Sequence, residues 1–319
     1  MSARLPPMPS LREILKMYNL QASKQLSQNF LLDTRVTDKI VKQCGDVKDS
    51  VVIEVGPGPG PLTRSLINAG ARRVIAVEKD ERFFPSLQMI GQAVDDQEEK
   101  KQKFNLIHGD ILEVSEYDLL KEFGEQDTSN VTIIGNLPFG IATPLLIKWL
   151  RDVNTYSGVF SKTSKGDFRN INMVLMFQKE VADRICAVPG TKEYSRITIC
   201  SQSQCTVKNL HTVKAKTFIP APEVDAGVVK LTPRRDLPSP SEQEHLPFES
   251  IEDFCKIAFN GKRKQLNSNL KAVLTPEQIK KFIRNSNLSE KVLDGRVQDL
   301  KVDEICQMAK KFTSIQNTD

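Results

Sequence analysis

A chain of 319 residues, 39% hydrophobic, is long enough to bury a sizeable core and to form two domains, and none of its apolar runs approaches the length that crosses a membrane. Its 45 Lys and Arg against 40 Asp and Glu give a net charge of +5, so the distribution of charge matters more than its sum. Six scattered cysteines without a C-x-x-C pair read as thiols of a reducing compartment. Three distant histidines offer no metal-ligand spacing, and no Ser-His-Asp or Cys-His arrangement points to covalent catalysis.

The first twenty residues set Arg4, Arg12 and Lys16 against Glu13, with Leu11, Ile14, Leu15 and Tyr18 at helical spacing. A short basic targeting segment, broken by Pro6, Pro7 and Pro9, and an ordinary surface helix fit this pattern equally well. Val51 to Val55 then forms a short, mostly apolar run of the kind a buried parallel strand shows. It feeds Gly56-Pro57-Gly58-Pro59-Gly60-Pro61 and a helical stretch from Leu62 to Ile67. Alternate glycines let a backbone pass close to a ligand, and the following helix turns its free N–H groups toward it.

A second strand, Arg73 to Val77, ends in Glu78, eighteen residues after Gly60 and placed to accept both hydroxyls of a ribose. Together these features predict a nucleotide site. The spacing E-x-G-x-G-x-G from Glu54 is that of S-adenosylmethionine-dependent class I methyltransferases, rather than the G-x-G-x-x-G of dinucleotide enzymes. After a charged stretch from Asp95 to Lys103, a third strand from Phe104 runs into Gly109-Asp110. Asp110 would either accept from the exocyclic amine of an adenine, with Ile111 against the ring, or simply cap the next helix.

The fourth strand, Val131 to Gly135, ends in Asn136-Leu137-Pro138-Phe139. That tetrapeptide offers a side-chain carbonyl, a backbone carbonyl beside Pro138 and an aromatic face, which are the groups an amine on a flat ring requires. Four ligand-type strand ends in order agree with the rule that open α/β sheets bind at the carboxyl ends of their strands.

Farther on, Asn154 to Asn170 reads as a polar loop, and Asp236 to Pro247, with Pro238, Ser239, Pro240 and Ser241, as a linker. Beyond it, Phe254, Ile257 and Ala258, then Ile279, Phe282 and Ile283, then Ile305, Met308 and Ala309 recur at helical spacing. The chain therefore divides into an extension (1–27), a catalytic domain (28–235), the linker (236–247) and a small helical domain (248–319). Lys256, Lys262, Arg263, Lys264 and Lys271 fall between Phe254 and Pro276 without an acid. A solvated face is the usual fate of such a cluster; three consecutive basic residues favour a phosphate-contacting surface. Lys208, Lys214 and Lys216 add positive charge ahead of Phe218.

These motifs together resemble the rRNA adenine N6-dimethyltransferase family over nearly the whole chain. Gln28-Asn29-Phe30-Leu31 resembles its QNFL segment, Glu54 to Thr63 its glycine loop, and Asn136 to Phe139 its N-L-P-F/Y motif. Gln178 to Arg184 resembles Q-K-E-V-A-x-R, Phe218 to Asp225 F-x-P-x-P-x-V-D/S, and Phe259 to Leu266 F-x-x-R-R-K-x-L. Pro59 stands where the family usually has Leu, and Phe139 where many members have Tyr; stacking needs only the ring.

The resemblance implies an α/β class I fold, a Rossmann-like, mostly parallel sheet with a small C-terminal helical domain, and S-adenosylmethionine as cofactor. Cofactor contacts would come from Gln28, Asn29 and Leu31 at the methionine end, Gly56, Gly58 and Gly60, Glu78 and Lys79, Asp110 and Ile111, and Asn136. Asn136, Leu137, Pro138 and Phe139 would hold the target base, with Phe218 on its other face; Lys262, Arg263 and Lys264 would contact RNA, and no metal is needed.

The implied substrate is a pair of adjacent adenines in the hairpin near the 3′ end of small-subunit rRNA. The likeness is greatest to the mitochondrial branch, which implies a monomer in the mitochondrial matrix acting on the assembling small ribosomal subunit, with the mitochondrial transcription machinery as a further partner. Two other classes stay open: a non-catalytic nucleic-acid-binding factor on the same fold, and a DNA adenine methyltransferase, which Leu137 in place of a proline disfavours.

Overall fold

Val51–Val55 is buried at every position, as the central strand of a sheet covered on both faces must be. The computed structural model describes Leu5, Glu13 and residues 29–95, 102–261, 263–285 and 293–316. The amphipathic N-terminal pattern, Gln28 and Lys262 lie outside these residues. The strands are β1 (Phe30–Leu31), β2 (Val51–Val55), β3 (Arg73–Glu78), β4 (Phe104–His108), β5 (Asn130–Gly135), β6 (Asn170–Gln178), β7 (Cys205–Val213), β8 (Phe218–Ile219) and β9 (Ala226–Pro233).

Seven of them form one sheet in the order β4-β3-β2-β5-β6-β9-β7. Pairings from β4 through to β6 are parallel, with Val55 beside Val77 on one side and Gly135 on the other; β9 joins β6 antiparallel. Strand order reverses at β2, between β3 and β5, which puts the crevice of a doubly wound sheet at the ends of these strands. β1 and β8 form a separate antiparallel ribbon, Phe30 facing Ile219 and Leu31 facing Phe218.

The helices are α1 (Thr34–Cys44), α2 (Pro61–Asn68), α3 (Phe84–Asp95), α4 (Glu116–Glu122), α5 (Phe139–Thr155), α6 (Lys179–Ile185), α7 (Arg196–Gln204), α8 (Phe248–Ala258), α9 (Leu266–Leu270), α10 (Pro276–Asn285) and α11 (Val302–Gln316). Among the described residues, no helix is long and apolar enough to cross a membrane.

The chain falls into two compact units. One comprises residues up to Leu146, Ser157–Ala182 and Lys208–Thr232; the other Ile147–Tyr156, Asp183–Val207 and the chain from Pro233. The first holds the crevice, over a core that includes Ile40, Leu66, Phe83, Leu87 and Ile90. A single break at 236–247 is therefore too simple. Tyr194 and Ile199 are fully buried in one cluster with Phe254, Phe282 and Phe312 of the second unit. Asn154 binds that unit to itself: its Nδ2 donates to the Leu246 carbonyl at 3.0 Å and its Oδ1 accepts from Phe248 N–H at 3.0 Å. Such long-range packing leaves no compositional trace at residues 183–207.

Candidate active site

Three left-handed glycines shape the turn after β2: Gly56 (φ 63°), Gly58 (φ 54°) and Gly60 (φ 91°). Any residue with a Cβ would be strained at all three, and the prolines accordingly occupy the alternate places 57, 59 and 61. Their neighbourhoods differ. A Cβ on Gly56 would meet no described atom within 4 Å, and one on Gly58 would lie 3.2 Å from the Phe30 ring. On Gly60 it would lie 2.6 Å from Ile90 Cδ1. Gly56 and Gly58 line the cavity at the strand ends, whereas Gly60 is the residue before α2 and is not among the lining residues.

That cavity has a volume of about 240 Å³, and its walls bring together the ends of β2, β3, β4 and β5. Glu78, 4% exposed, closes one side. Its Oε2 accepts from Gly58 N–H at 2.9 Å and its Oε1 from Asp80 N–H at 2.8 Å. Burial raises its pKa, and these two backbone donors partly offset that rise. A carboxylate fixed by main-chain donors keeps lone pairs for the vicinal hydroxyls of a ribose.

Next to it, Asp110 Oδ2 accepts from Lys79 Nζ at 2.8 Å and Oδ1 from Leu112 N–H at 3.0 Å. The Lys79 hydrogen bond chiefly holds its carboxyl below the usual range. Asp110 thus braces the following turn and lines the cavity alongside Ile111, whereas the next helix, α4, is capped by Ser115 instead.

At the end of β5 the chain must pass very close to β2, for a Cβ on Gly135 would lie 2.7 Å from the Val55 carbonyl oxygen. Asn136 follows at once. Its Nδ2 donates to the Asn29 carbonyl at 2.7 Å, which fixes the amide and leaves Oδ1 as its acceptor. The Pro138 carbonyl accepts the first N–H groups of α5, from Ile141 at 3.0 Å and Ala142 at 3.2 Å. The Leu137 carbonyl is thus the freer backbone acceptor. Leu137, Pro138 and Phe139 all line the cavity, as do Asn29 and Lys79.

Leu31 and Phe218 are not among the residues that line this cavity. Leu31 and Phe218 are 5% and 1% exposed and face each other across the β1–β8 ribbon, inside the core cluster. The Phe218 ring is stabilised by that burial and packs in the core beside Leu31. Phe30 instead reaches the cavity, edge-on to Phe83 with centroids 5.2 Å apart. It sits inside the Q-N-F-L segment but carries no polar group to mark it. Arg263 and Lys264 are exposed residues of the second unit. Among the described residues, no cluster of His, Cys, Asp or Glu could hold a metal.

A family model described as Ribosomal RNA adenine dimethylase matches residues 19–314. The chain belongs to that family. Mitochondrial dimethyladenosine transferase 1 of Bos taurus is 45% identical over 278 residues, covering 86% of this chain and 76% of that protein. The Homo sapiens protein is 44% identical over 280 residues, with the same two coverages. That of Vermamoeba vermiformis is 35% identical, covering 99% of this chain and 98% of its own.

Among solved structures, a dimethyladenosine transferase from Plasmodium falciparum matches with a TM-score of 0.64 at 23% identity, covering 90% of this chain and 98% of that one. The 23S rRNA methyltransferase ErmE matches with a TM-score of 0.55 at 18% identity, covering 89% and 100%. These two show the fold, that of a class I methyltransferase. As a member of the rRNA adenine dimethylases, the chain is an enzyme that uses S-adenosylmethionine. The cavity fits that cofactor, with open backbone at Gly56, a two-oxygen acceptor at Glu78 and a second carboxylate at Asp110.

Proposed function

We propose that this dimethyltransferase converts two adjacent adenines, in the hairpin near the 3′ end of mitochondrial small-subunit rRNA, to N6,N6-dimethyladenine, and so supports assembly of that subunit in the mitochondrial matrix. The names of the curated relatives support the compartment. The observation that carries the chemistry is the tethered amide of Asn136, a residue lining the cavity that Glu78 and Asp110 also line.

S-adenosylmethionine, when bound, supplies a methyl group on a sulfonium, already a strong electrophile. The protein's share is then positioning and exclusion of water. The adenine amine is a poor nucleophile because its lone pair is delocalised into the ring. Acceptance of its two hydrogens by Asn136 Oδ1 and the Leu137 carbonyl favours a tetrahedral nitrogen with its lone pair directed outward. Phe139 offers its face to the base, which must leave the RNA stack to arrive there. A strong general base is unnecessary, since the amine proton is acidic once the methyl has moved. Lys262, Arg263 and Lys264 contact rRNA phosphates in this reading, the enzyme works as a monomer, and contact with the transcription machinery is a separate role.

The test is transfer of labelled methyl groups to small-subunit hairpins with and without the adjacent adenines, by the full chain and by Asn136→Ala. Transfer that requires both the adenines and Asn136 is expected. Cofactor binding without methylation of any adenine would instead favour a non-catalytic RNA- or DNA-binding factor.

A further inference from the structure

Glu54 sits in the middle of the sheet, fully buried on β2 two residues before the glycine turn. Its Oε2 accepts from Thr63 Oγ1 at 2.7 Å, and the Thr63 backbone N–H adds a weaker interaction with the carboxylate. Among the described residues nothing donates to its Oε1. Both residues lie in the first unit, and Glu54 borders a small cavity of about 30 Å³ whose other walls include Thr37, Gly56, Leu62, Asn136 and Met176. None of the residues lining it is cationic.

An ionised carboxylate so placed would lack most of the hydrogen bonds that compensate burial, and such a group takes a proton instead. The charge that acts on it, Glu78 on β3, is itself a carboxylate and opposes ionisation further. From α2 comes the neutral Thr63, from β5 the neutral Asn136. α1 contributes Thr37, whose hydroxyl is bound to Ser65, and Ser65 in turn donates to Asp38. Burial accordingly pushes the Glu54 carboxyl up to about 8.

The cofactor carries a sulfonium and an ammonium against one carboxylate, a net positive charge. We infer that Glu54 is protonated in the cofactor-free enzyme and ionises when the cationic cofactor enters, so that binding releases a proton to solvent and affinity rises with pH. Glu54 is thereby a positioning residue that matches its own charge to that of the ligand; the inference rests on the cofactor assignment and not on the choice of RNA.

Calorimetric titration of the RNA-free enzyme with S-adenosylmethionine, in buffers of different ionisation enthalpy, counts the protons. At pH 7 about one proton per cofactor is expected from the wild type, declining above about pH 8, with Kd falling about tenfold per pH unit below that point. Glu54→Gln, neutral and of the same shape, should bind with no proton release. Thr63→Val removes the side-chain donor to the carboxylate and should move the release profile to higher pH, a readout that survives if the Gln variant does not fold.

Release that persists in Glu54→Gln would place the titrating group elsewhere and overturn the inference. Binding by the wild type without release would mean that the carboxylate keeps one protonation state throughout, and would overturn it too. Failure to bind at all would strike the cofactor assignment itself, a distinguishable result.

Discussion

Asn136 and Asn29 are joined by a hydrogen bond, Nδ2 to carbonyl oxygen at 2.7 Å, across 107 residues of sequence. One bond therefore unites the segment ahead of β1 with the end of β5, two of the motifs that the sequence presents separately. It also assigns the amide, because only the nitrogen can donate to the Asn29 oxygen, which leaves Oδ1 as the acceptor.

Asn136→Ala removes the acceptor for the target amine and the tether to Asn29 together. Transfer should fall by at least about 10²-fold, the scale of losing one preorganised polar group at a reacting centre. The cofactor's Kd should change by less than about tenfold, since Glu78, Asp110 and the glycine turn are untouched. Single-turnover methyl transfer beside equilibrium binding separates the two effects. A collapse of cofactor affinity, with chemistry intact at saturation, would reassign Asn136 to the cofactor.

The glycine turn offers a sharper division of labour. Gly60→Ala puts a methyl 2.6 Å from Ile90 Cδ1 at a left-handed position, so its main cost should be stability, on the order of 1–3 kcal/mol. Gly58→Val carries its bulk toward Phe30 and the cavity, and should abolish measurable cofactor binding. Thermal melts with and without S-adenosylmethionine test both. Gly60→Ala should melt lower and still shift upward with cofactor, whereas Gly58→Val should show no such shift.

The contrast shows what a sequence can and cannot carry about this site. Strand ends, glycine spacing and Glu78, Asp110 and Asn136 are legible because each follows a local pattern: an apolar run, a turn, a polar stop. The place of Phe218 is not legible, because an aromatic residue serves a stack or a core equally well in one dimension, and only its burial opposite Leu31 puts it in the core. Gly60 and Gly58 look alike until Ile90 and Phe30 are brought to them. The place of residues 183–207 in the second unit is likewise decided by contacts of Tyr194 and Ile199 with residues at least fifty positions away.

Lys79 and Asp110 form an ion pair at 2.8 Å, but the lysine side chain is 75% exposed, so solvent screens most of it. Lys79→Ala should weaken cofactor binding by no more than about fivefold, and less at high salt. Asp110→Ala, which deletes the acceptor itself, should cost more. The Asp110 pKa is lowered in the fold, so its contribution is present above the ordinary carboxylate range and lost only as pH falls through the depressed value. Cofactor affinity near neutral pH should therefore show no titration from Asp110; isothermal binding between pH 6 and 8 in Asp110→Asn examines this.

Glu54 makes the opposite prediction for stability. Its folded pKa, about 8, lies above the 4.5 of a free side chain, so between those values the folded enzyme holds a proton that the unfolded chain has lost. The state that binds more protons is disfavoured as pH rises. The cofactor-free wild type should thus lose stability progressively from about pH 5 to pH 8, by a few kcal/mol at most, and the loss should level off above that. Glu54→Gln lacks this component, so the difference in Tm between variant and wild type should move in favour of the variant as pH is raised. Melts across the range without cofactor measure that difference directly. A constant difference from pH 5 to pH 8 would mean that Glu54 titrates alike in both states, through water reaching the cavity beside its Oε1.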